Sequence, residues 1–143
     1  MVRWIPTREW AEEFCRQLNS SSIYRNSGRG WVWPILFKVR NIPEDLKGMF
    51  KSDTPGFIAD LNNGECRGIQ WLDDATEADA PFILTGDYRV WLDVIEGKTH
   101  PLTAIIRRKL VLEKGEVSKI MRYPVAALEM VKAAQRAAQA TSK

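Results

Sequence analysis

The sequence predicts an α+β fold with a five-stranded, mainly antiparallel sheet, helices covering one face, and an apolar cavity between the sheet and the helices. The order of elements is the first observation: a helix, several strands joined by short turns, then helices with one late strand. The second is that the helices between residues 88 and 107 have only two to three turns each, too short to be stable without docking. The third is a composition with 45% hydrophobic and 10% aromatic residues, which allows a packed core. The length of 143 residues fits one domain, 1–143.

The first predicted helix begins after Thr7, a residue type that caps helix N-termini. Trp10, Phe14 and Leu18 then recur every four residues, the spacing of a buried helix face. Residues 19–30 are rich in Ser, Asn and Gly and are predicted to form a loop.

The first predicted strand spans 31–40, because its odd positions from Trp31 to Val39 form one apolar face. Pro34 cannot donate to a ladder of hydrogen bonds, so we expect this strand at a sheet edge or with a bulge. Residues 41–55 are predicted as an irregular acidic segment with one helical turn from 44 to 49.

A hairpin is predicted next, with strands at 57–61 and 65–72 joined by Asn62-Asn63-Gly64, a strong turn signal. An acidic loop follows at 73–79, and a fourth strand is predicted at 80–84.

Helical spacing returns at Tyr88, Trp91, Leu92 and Ile95, and Gly97 marks the helix end. Pro101 is suited to the first position of another helix. A fifth strand is predicted at 109–114, a helical turn at 116–122, and a last helix from 124 that frays in its Ala/Gln/Lys-rich end.

Charge is distributed unevenly along the chain. The net charge is +4 over residues 1–40, −8 over 41–97 and +7 over 98–143, although the whole chain carries only +3. A basic final third can meet nucleic acid, an anionic membrane surface or an acidic ligand, and it can equally match the acidic middle or solvate a helix face.

Cys15 and Cys66 are the two cysteines, and they fit neither a disulfide framework nor a zinc site. We therefore expect two unpaired thiols in a reducing cytoplasm. The N-terminal residues lack the apolar core of a secretory signal, which also predicts a cytoplasmic location.

Few side chains could carry chemistry. His100 is the only histidine, and a histidine before proline is typical of a cap or turn. The acidic loop lacks the alternation of a calcium loop, and Gly28-Arg29-Gly30 is too short to cradle a phosphate. In an extended chain, Arg107 and Lys109 point to one face, where they could clamp a carboxylate or phosphate, or could merely protect a sheet edge by their charge. We expect no catalytic residue, no metal site and no cofactor.

The chain resembles the sterol carrier protein type two family over roughly residues 31–134. The matching motifs are FILT, GDYRVWLDVIEG, the Gly97-Lys98 turn, HPLTAI, RRKLVLEKG and the final helix. The resemblance implies a soluble, non-enzymatic carrier that holds an acyl, prenyl or sterol-like ligand in an apolar tunnel. An alternative is a non-catalytic accessory or association module with a packed core of the same fold. Nucleic-acid binding is disfavoured, because the tryptophans fall at core spacings rather than as stacking platforms.

The expected tunnel wall draws on the first strand, the middle helices and the last helices. Transient contact with an anionic membrane surface is compatible with this function, and both a monomer and a homodimer remain open. The predicted wall residues are Trp33, Ile35, Phe37, Trp91, Leu92, Ile95, Leu102, Ile105, Ile106, Met121, Leu128 and Val131.

Overall fold

A five-stranded sheet forms the centre of the fold in the computed structural model, which describes residues 3–142. The strand order is β3-β2-β1-β4-β5, and only the β1–β4 pair is parallel. The predicted α+β class with a mainly antiparallel sheet is confirmed. The strands are β1 (Ile35–Arg40), β2 (Gly56–Asn62), β3 (Glu65–Leu72), β4 (Phe82–Asp87) and β5 (Val111–Lys114).

Helices cover one face of this sheet. They are α1 (Arg8–Asn19), α2 (Ser22–Ser27), α3 (Tyr88–Ile95), α4 (Pro101–Ile106), α5 (Val117–Ile120) and α6 (Pro124–Thr141), with a short 3₁₀ turn at Lys47–Met49. The first helix begins as predicted, with Thr7 Oγ1 accepting a hydrogen bond of 3.1 Å from the backbone N–H of Trp10. None of the helices between residues 3 and 142 has the length and apolar character needed to cross a membrane.

The hairpin between β2 and β3 forms at the predicted turn. Asn63 and Gly64 both have positive φ, 50° and 81°. A Cβ on Gly64 would also collide with the backbone carbonyl of Arg25. Glycine is therefore required here both by the turn and by the close approach of α2.

The prediction that the first strand lies at an edge or has a bulge at Pro34 is wrong, because β1 is the central strand, between β2 and β4, and it pairs with both in regular register. Pro34 precedes the strand and so removes no donor from its ladder. Residues 35–39 are buried on both faces, as expected for a central strand, so Leu36 and Lys38 are buried on the face opposite Ile35, Phe37 and Val39.

The predicted loop at 19–30 contains a helix instead. Ser21 caps α2, its Oγ accepting a hydrogen bond of 3.0 Å from the Tyr24 backbone N–H. Tyr24 is 2% exposed, so packing of a single large side chain stabilises a helix whose polar sequence does not predict it.

The predicted fraying of the last helix is also wrong, since α6 continues to Thr141. Its small side chains let α1 approach closely: Ala133 and Ala137 are completely buried, and Trp10 Nε1 donates to the Ala134 carbonyl at 3.2 Å. An alanine-rich end that looks solvated in sequence is therefore a packing surface.

The face of the sheet away from the helices is partly covered by the acidic loop. Ala75 and Ala80 are buried against Leu36 and Ile83, so the loop is a strap across the sheet as well as a solvated segment. Lys38 is buried beneath it, and its Nζ donates to the Thr76 carbonyl at 3.3 Å.

Cys15 and Cys66 are joined by a disulfide, which overturns the prediction of two free thiols. The helix α1 packs on β3, and the Asn19 side chain bonds both the backbone N–H and the carbonyl of Cys66, at 2.8 and 2.9 Å. The separation of 51 residues gives no hint of this contact in sequence. Disulfides persist mainly in oxidising compartments, so the bond removes one of the two supports for a cytoplasmic location.

Candidate functional site

An apolar cavity of about 140 Å³ lies between the helices and the sheet. Every wall residue in the described part of the chain is uncharged. The wall consists of Trp4, Trp10, Phe14, Tyr24, Gly28, Trp31, Ile35, Phe37, Val39, Phe57, Leu61, Leu84, Trp91, Val94, Ile95, Pro101, Leu102, Ile105, Leu110, Ile120, Tyr123, Ala126, Ala127, Met130, Val131 and Ala134.

The sheet supplies the floor of the cavity. Ile35, Phe37 and Val39 lie on the helix side of β1, because side chains alternate along a strand. Phe37 pairs in register with Phe57 of β2, and their rings stack at 5.0 Å between centroids. The floor is therefore a continuous surface of aliphatic and aromatic groups.

Three wall tryptophans are held by hydrogen bonds to backbone carbonyls. Trp10 Nε1 donates to Ala134, and Trp31 Nε1 donates to Trp33 at 2.7 Å. Trp91 Nε1 donates to the Lys38 carbonyl at 2.9 Å, and its ring meets Phe37 edge-on at 5.8 Å. These bonds satisfy the polar end of each indole while the rest of its ring forms wall.

Tyr24 is the residue of α2 that forms part of the cavity wall. Burial raises the pKa of its phenol to about 12, because removal from water disfavours the phenolate. The phenol is therefore neutral at physiological pH, in keeping with an uncharged cavity.

The roof is made by α4, α5 and the first half of α6. Pro101 occupies the first position of α4, and His100 Nδ1 accepts a hydrogen bond of 3.1 Å from the Leu102 N–H. The histidine thus acts as a helix cap. Because α4 has six residues and α5 has four, this roof is built from elements that depend on docking for their stability.

The predicted wall residues divide into two groups. Those that line the cavity are Ile35, Phe37, Trp91, Ile95, Leu102, Ile105 and Val131. Those that the structure places outside its lining are Trp33, Leu92, Ile106, Met121 and Leu128.

The second group fails to line the cavity for identifiable reasons. Ile106 and Leu128 are 66% and 42% exposed, because each lies on the solvent side of its helix. Trp33 sits just before β1 starts, and Lys119 Nζ lies 4.4 Å above its ring. Leu92 and Met121 are half-buried and pack against the core.

Sequence reasoning missed the contribution of the N-terminal region to the wall. Trp10 and Phe14 were recognised only as a buried helix face, and their rings stack at 5.6 Å. Tyr24 lies in the segment predicted as a loop, and Trp4 precedes the first helix. The repeat of apolar residues every four positions on α1 indicated that this helix face is buried. It does not show whether a buried face packs against other side chains or lines a cavity.

The strand geometry on which a clamp by Arg107 and Lys109 would depend is absent. Both residues lie in the turn between α4 and β5, and Arg108 between them has a φ of 59°. They therefore do not alternate as strand residues, and all three basic side chains are exposed. Within residues 3–142, no three His, Cys, Asp or Glu side chains are grouped so that they could hold a metal ion.

The chain and its fold are similar to solved structures of known proteins. No protein-family model matches the chain, and no curated protein matches it significantly. A crystal structure of sterol carrier protein 2 is 36% identical, with a TM-score of 0.79 over 90% of this chain and 95% of that one. A solution structure from Thermus thermophilus, described as possibly sterol carrier protein, is 34% identical, with a TM-score of 0.81 over 94% of this chain and 90% of that one.

More distant structures share the fold. One is sterol carrier protein 2 from Aedes aegypti in complex with palmitate, 16% identical with a TM-score of 0.50 over 88% of this chain and 99% of that one. The resemblance seen in the sequence is confirmed by the two nearer matches, which extend over nearly the whole chain. The chain belongs to the sterol carrier protein 2 family.

Proposed function

We propose that the protein is a lipid-binding carrier that holds an acyl, prenyl or sterol-like group in the cavity between its sheet and helices. The observation that carries this proposal is the uncharged apolar cavity in a member of this family. The palmitate complex of the Aedes aegypti protein supports a lipid ligand by analogy of fold. Residues 1–143 would act as one domain, as a monomer or a homodimer.

Burial of hydrocarbon provides the affinity. Each methylene removed from water contributes about 0.8 kcal/mol, so ten contribute about 8 kcal/mol before the entropic cost of binding. No directional contact is needed to retain such a ligand. The proposed ligand contacts are Ile35, Phe37, Trp91, Ile95, Leu102, Ile105 and Val131. The other predicted wall residues, which do not line the cavity, would affect ligand binding only by supporting these contacts.

The cavity must expand to take a long chain. Its 140 Å³ is close to the roughly 150 Å³ of an engineered protein cavity that binds benzene. We propose that the roof moves outward on binding, because α4 and α5 are short and the sheet floor is fixed by its ladders. The apolar tunnel expected from the family would then form around the ligand.

The roof elements also present a surface suited to an anionic membrane. Their outward side chains include Ile106, Val125 and Leu128, at 66%, 56% and 42% exposure. Exposed basic residues adjoin them in sequence, among them Arg107 and Arg122. Apolar side chains beside basic ones favour anionic bilayers, since insertion and electrostatic attraction add together.

Vesicle sedimentation tests this surface. Ile106→Asp should weaken binding to vesicles of phosphatidylserine and phosphatidylcholine several-fold, whereas Met49→Asp, at a similarly exposed site in the acidic middle of the chain, should not. Equal losses of vesicle binding in both variants would show that the roof is not the membrane-contacting surface.

The proposed role is stoichiometric, without catalysis or a resident cofactor, and the cytoplasmic location stays a prediction. Native mass spectrometry of the purified protein, followed by extraction and lipid identification, tests the carrier function. We expect a bound lipid in a one-to-one complex. A protein that carries no lipid and takes up none from vesicles would instead support the accessory-module alternative.

A further inference from the structure

The cavity needs a way in for its ligand. Each residue that lines it is buried or half-buried, and none is exposed. Its 140 Å³ also holds little more than a benzene-sized molecule. Admission of a lipid chain therefore requires part of the wall to move aside.

Residues 3–5, here called the N-terminal arm, are the part of the wall most easily moved. The arm belongs to no helix or strand, and none of its backbone groups bonds another backbone group within residues 3–142. Trp4 is its cavity-lining residue. Pro6, which follows, is almost completely buried and fixes the end of the arm next to α1. Displacement of the arm thus breaks no ladder and no helix.

Side-chain contacts hold the arm in place. The Trp4 ring stacks on Tyr88 with centroids 5.3 Å apart, and the Tyr88 hydroxyl donates a hydrogen bond of 2.6 Å to the Trp4 carbonyl. The Arg3 guanidinium donates to both carboxylate oxygens of Asp45, at 2.6 and 3.2 Å. The side chains of this pair are 47% and 64% exposed, so water and salt screen their attraction.

The closed position of the arm also leaves one polar group unsatisfied. Trp4 Nε1 is buried and has no acceptor within residues 3–142, whereas the other three wall tryptophans donate to backbone carbonyls. A buried N–H without an acceptor destabilises the closed position, and displacement of the ring into water hydrates it. This hydration offsets part of the cost of exposing the ring. Trp4 is therefore easier to displace than a wall tryptophan whose indole is bonded.

We propose that the N-terminal arm is a gate: it swings outward about Pro6, withdraws Trp4 from the wall and admits the lipid at the end of the cavity next to α3. This rests on the proposed carrier function and adds a route of entry to it. The roof gives the bound chain its room, and the arm gives it the entrance.

Stopped-flow fluorescence with cis-parinaric acid, a slender fatty acid that fluoresces in apolar surroundings, tests the gate. Asp45→Asn weakens the contact of the arm with the fold. Asp60→Asn is the matched control, because Asp60 accepts two hydrogen bonds of 3.2 Å from Arg67 in a similarly exposed pair on the β2–β3 hairpin. Tyr88→Phe removes the hydroxyl that bonds the Trp4 carbonyl and keeps the stacked ring.

A gate contact stabilises the closed protein equally with and without ligand, so its loss speeds entry and exit alike. Asp45→Asn should raise the association and dissociation rate constants about two- to fivefold, the range for an exposed ion pair. Tyr88→Phe should raise both roughly two- to tenfold, as expected for one lost hydrogen bond. The dissociation constant should change less than about twofold in either variant, and Asp60→Asn should leave all three quantities unchanged.

The outcomes separate the gate from the carrier function. Unchanged rates in Asp45→Asn and Tyr88→Phe, with parinaric acid still bound, overturn the gate alone. A change in the dissociation rate without one in the association rate also overturns it, because the arm would then be a ligand contact. Failure of the wild type to bind parinaric acid overturns the carrier function, and the gate with it.

Hydrogen exchange of the indole N–H groups tests the motion without a ligand. Opening of the arm exposes Trp4 Nε1, whereas Trp10 Nε1 stays bonded to the Ala134 carbonyl. The Trp4 indole proton should exchange at least about tenfold faster than that of Trp10, and faster again in Asp45→Asn but not in Asp60→Asn. Exchange of Trp4 as slow as that of Trp10 would show that the arm stays closed.

Discussion

Ser21 Oγ donates a hydrogen bond of 2.9 Å to Glu129 Oε1, although 108 residues separate the two. Both residues are buried, at 8% and 6% exposure. The same hydroxyl accepts from the Tyr24 N–H as the cap of α2, and Arg136 Nη2 lies 3.8 Å from the same carboxylate oxygen. One serine therefore joins the start of α2 to the only buried carboxylate on α6 among the described residues.

Replacing this serine should destabilise the fold. Ser21→Ala removes a helix cap, at a cost of about 1 kcal/mol, and leaves a buried carboxylate short of a donor, at a cost of about 1–3 kcal/mol. We expect the free energy of unfolding in urea to fall by at least about 2 kcal/mol. Ser20→Ala is the matched control, since Ser20 is exposed and bonds only the Arg16 carbonyl. Similar losses in the two variants would contradict the role of the Glu129 contact.

Filling the cavity should abolish lipid retention. Ile105→Trp places a larger ring into the roof, where the isoleucine is 7% exposed, and the cavity gives it room. Ile106→Trp makes the same change on the adjacent, 66% exposed residue. Native mass spectrometry after incubation with lipid should show loss of the complex only in the first variant. Unfolding curves close to wild type in both would show that the fold survives, and retention by Ile105→Trp would argue against the cavity as the ligand site.

Alkaline pH should destabilise the protein through Tyr24. Burial raises the pKa of its phenol from 10.0 to about 12, so between these values the folded state keeps a proton that the unfolded state has lost. The stabilisation is complete below pH 10 and is lost as the pH rises through 12. Two pKa units correspond to about 2–3 kcal/mol.

Urea unfolding at a series of alkaline pH values measures this loss, and Tyr24→Phe should make the profile shallower. Some slope should remain, because burial also raises the pKa of Tyr88. An unchanged profile in Tyr24→Phe would show that the phenol of Tyr24 is not desolvated in solution.

The disulfide should be detectable in protein purified without reductant. Alkylation under denaturing conditions, followed by intact mass measurement, should modify no thiol before reduction and two thiols after it. Closing a loop of 51 residues restricts the unfolded chain, and loop entropy predicts a stabilisation of about 4 kcal/mol. The double variant Cys15→Ser, Cys66→Ser should therefore have a free energy of unfolding lower by up to about 4 kcal/mol. Two alkylated thiols in the untreated sample would contradict the bond.

Local patterns in the sequence were sufficient for elements whose cause is local. Thr7 capping, the Asn63-Gly64 turn and Pro101 at a helix start all depend on backbone geometry within a few residues, and each occurs where predicted. The apolar positions on β1 and α3 likewise identified Phe37 and Trp91 as facing the interior. The family resemblance could also be recognised from sequence, because each of its motifs is a contiguous segment.

Tertiary structure decided everything that depends on which surfaces meet. Periodicity shows that a helix face is buried, but it does not show whether the facing surface is packed or hollow, so the contribution of Trp10 and Phe14 to the cavity was not predicted. The bond between Cys15 and Cys66 arises only because α1 packs on β3. The central place of β1 follows from its partners β2 and β4, and Pro34 alone could not reveal it. The sequence by itself determined the elements and their apolar faces, while the cavity required those faces to meet without filling the space between them.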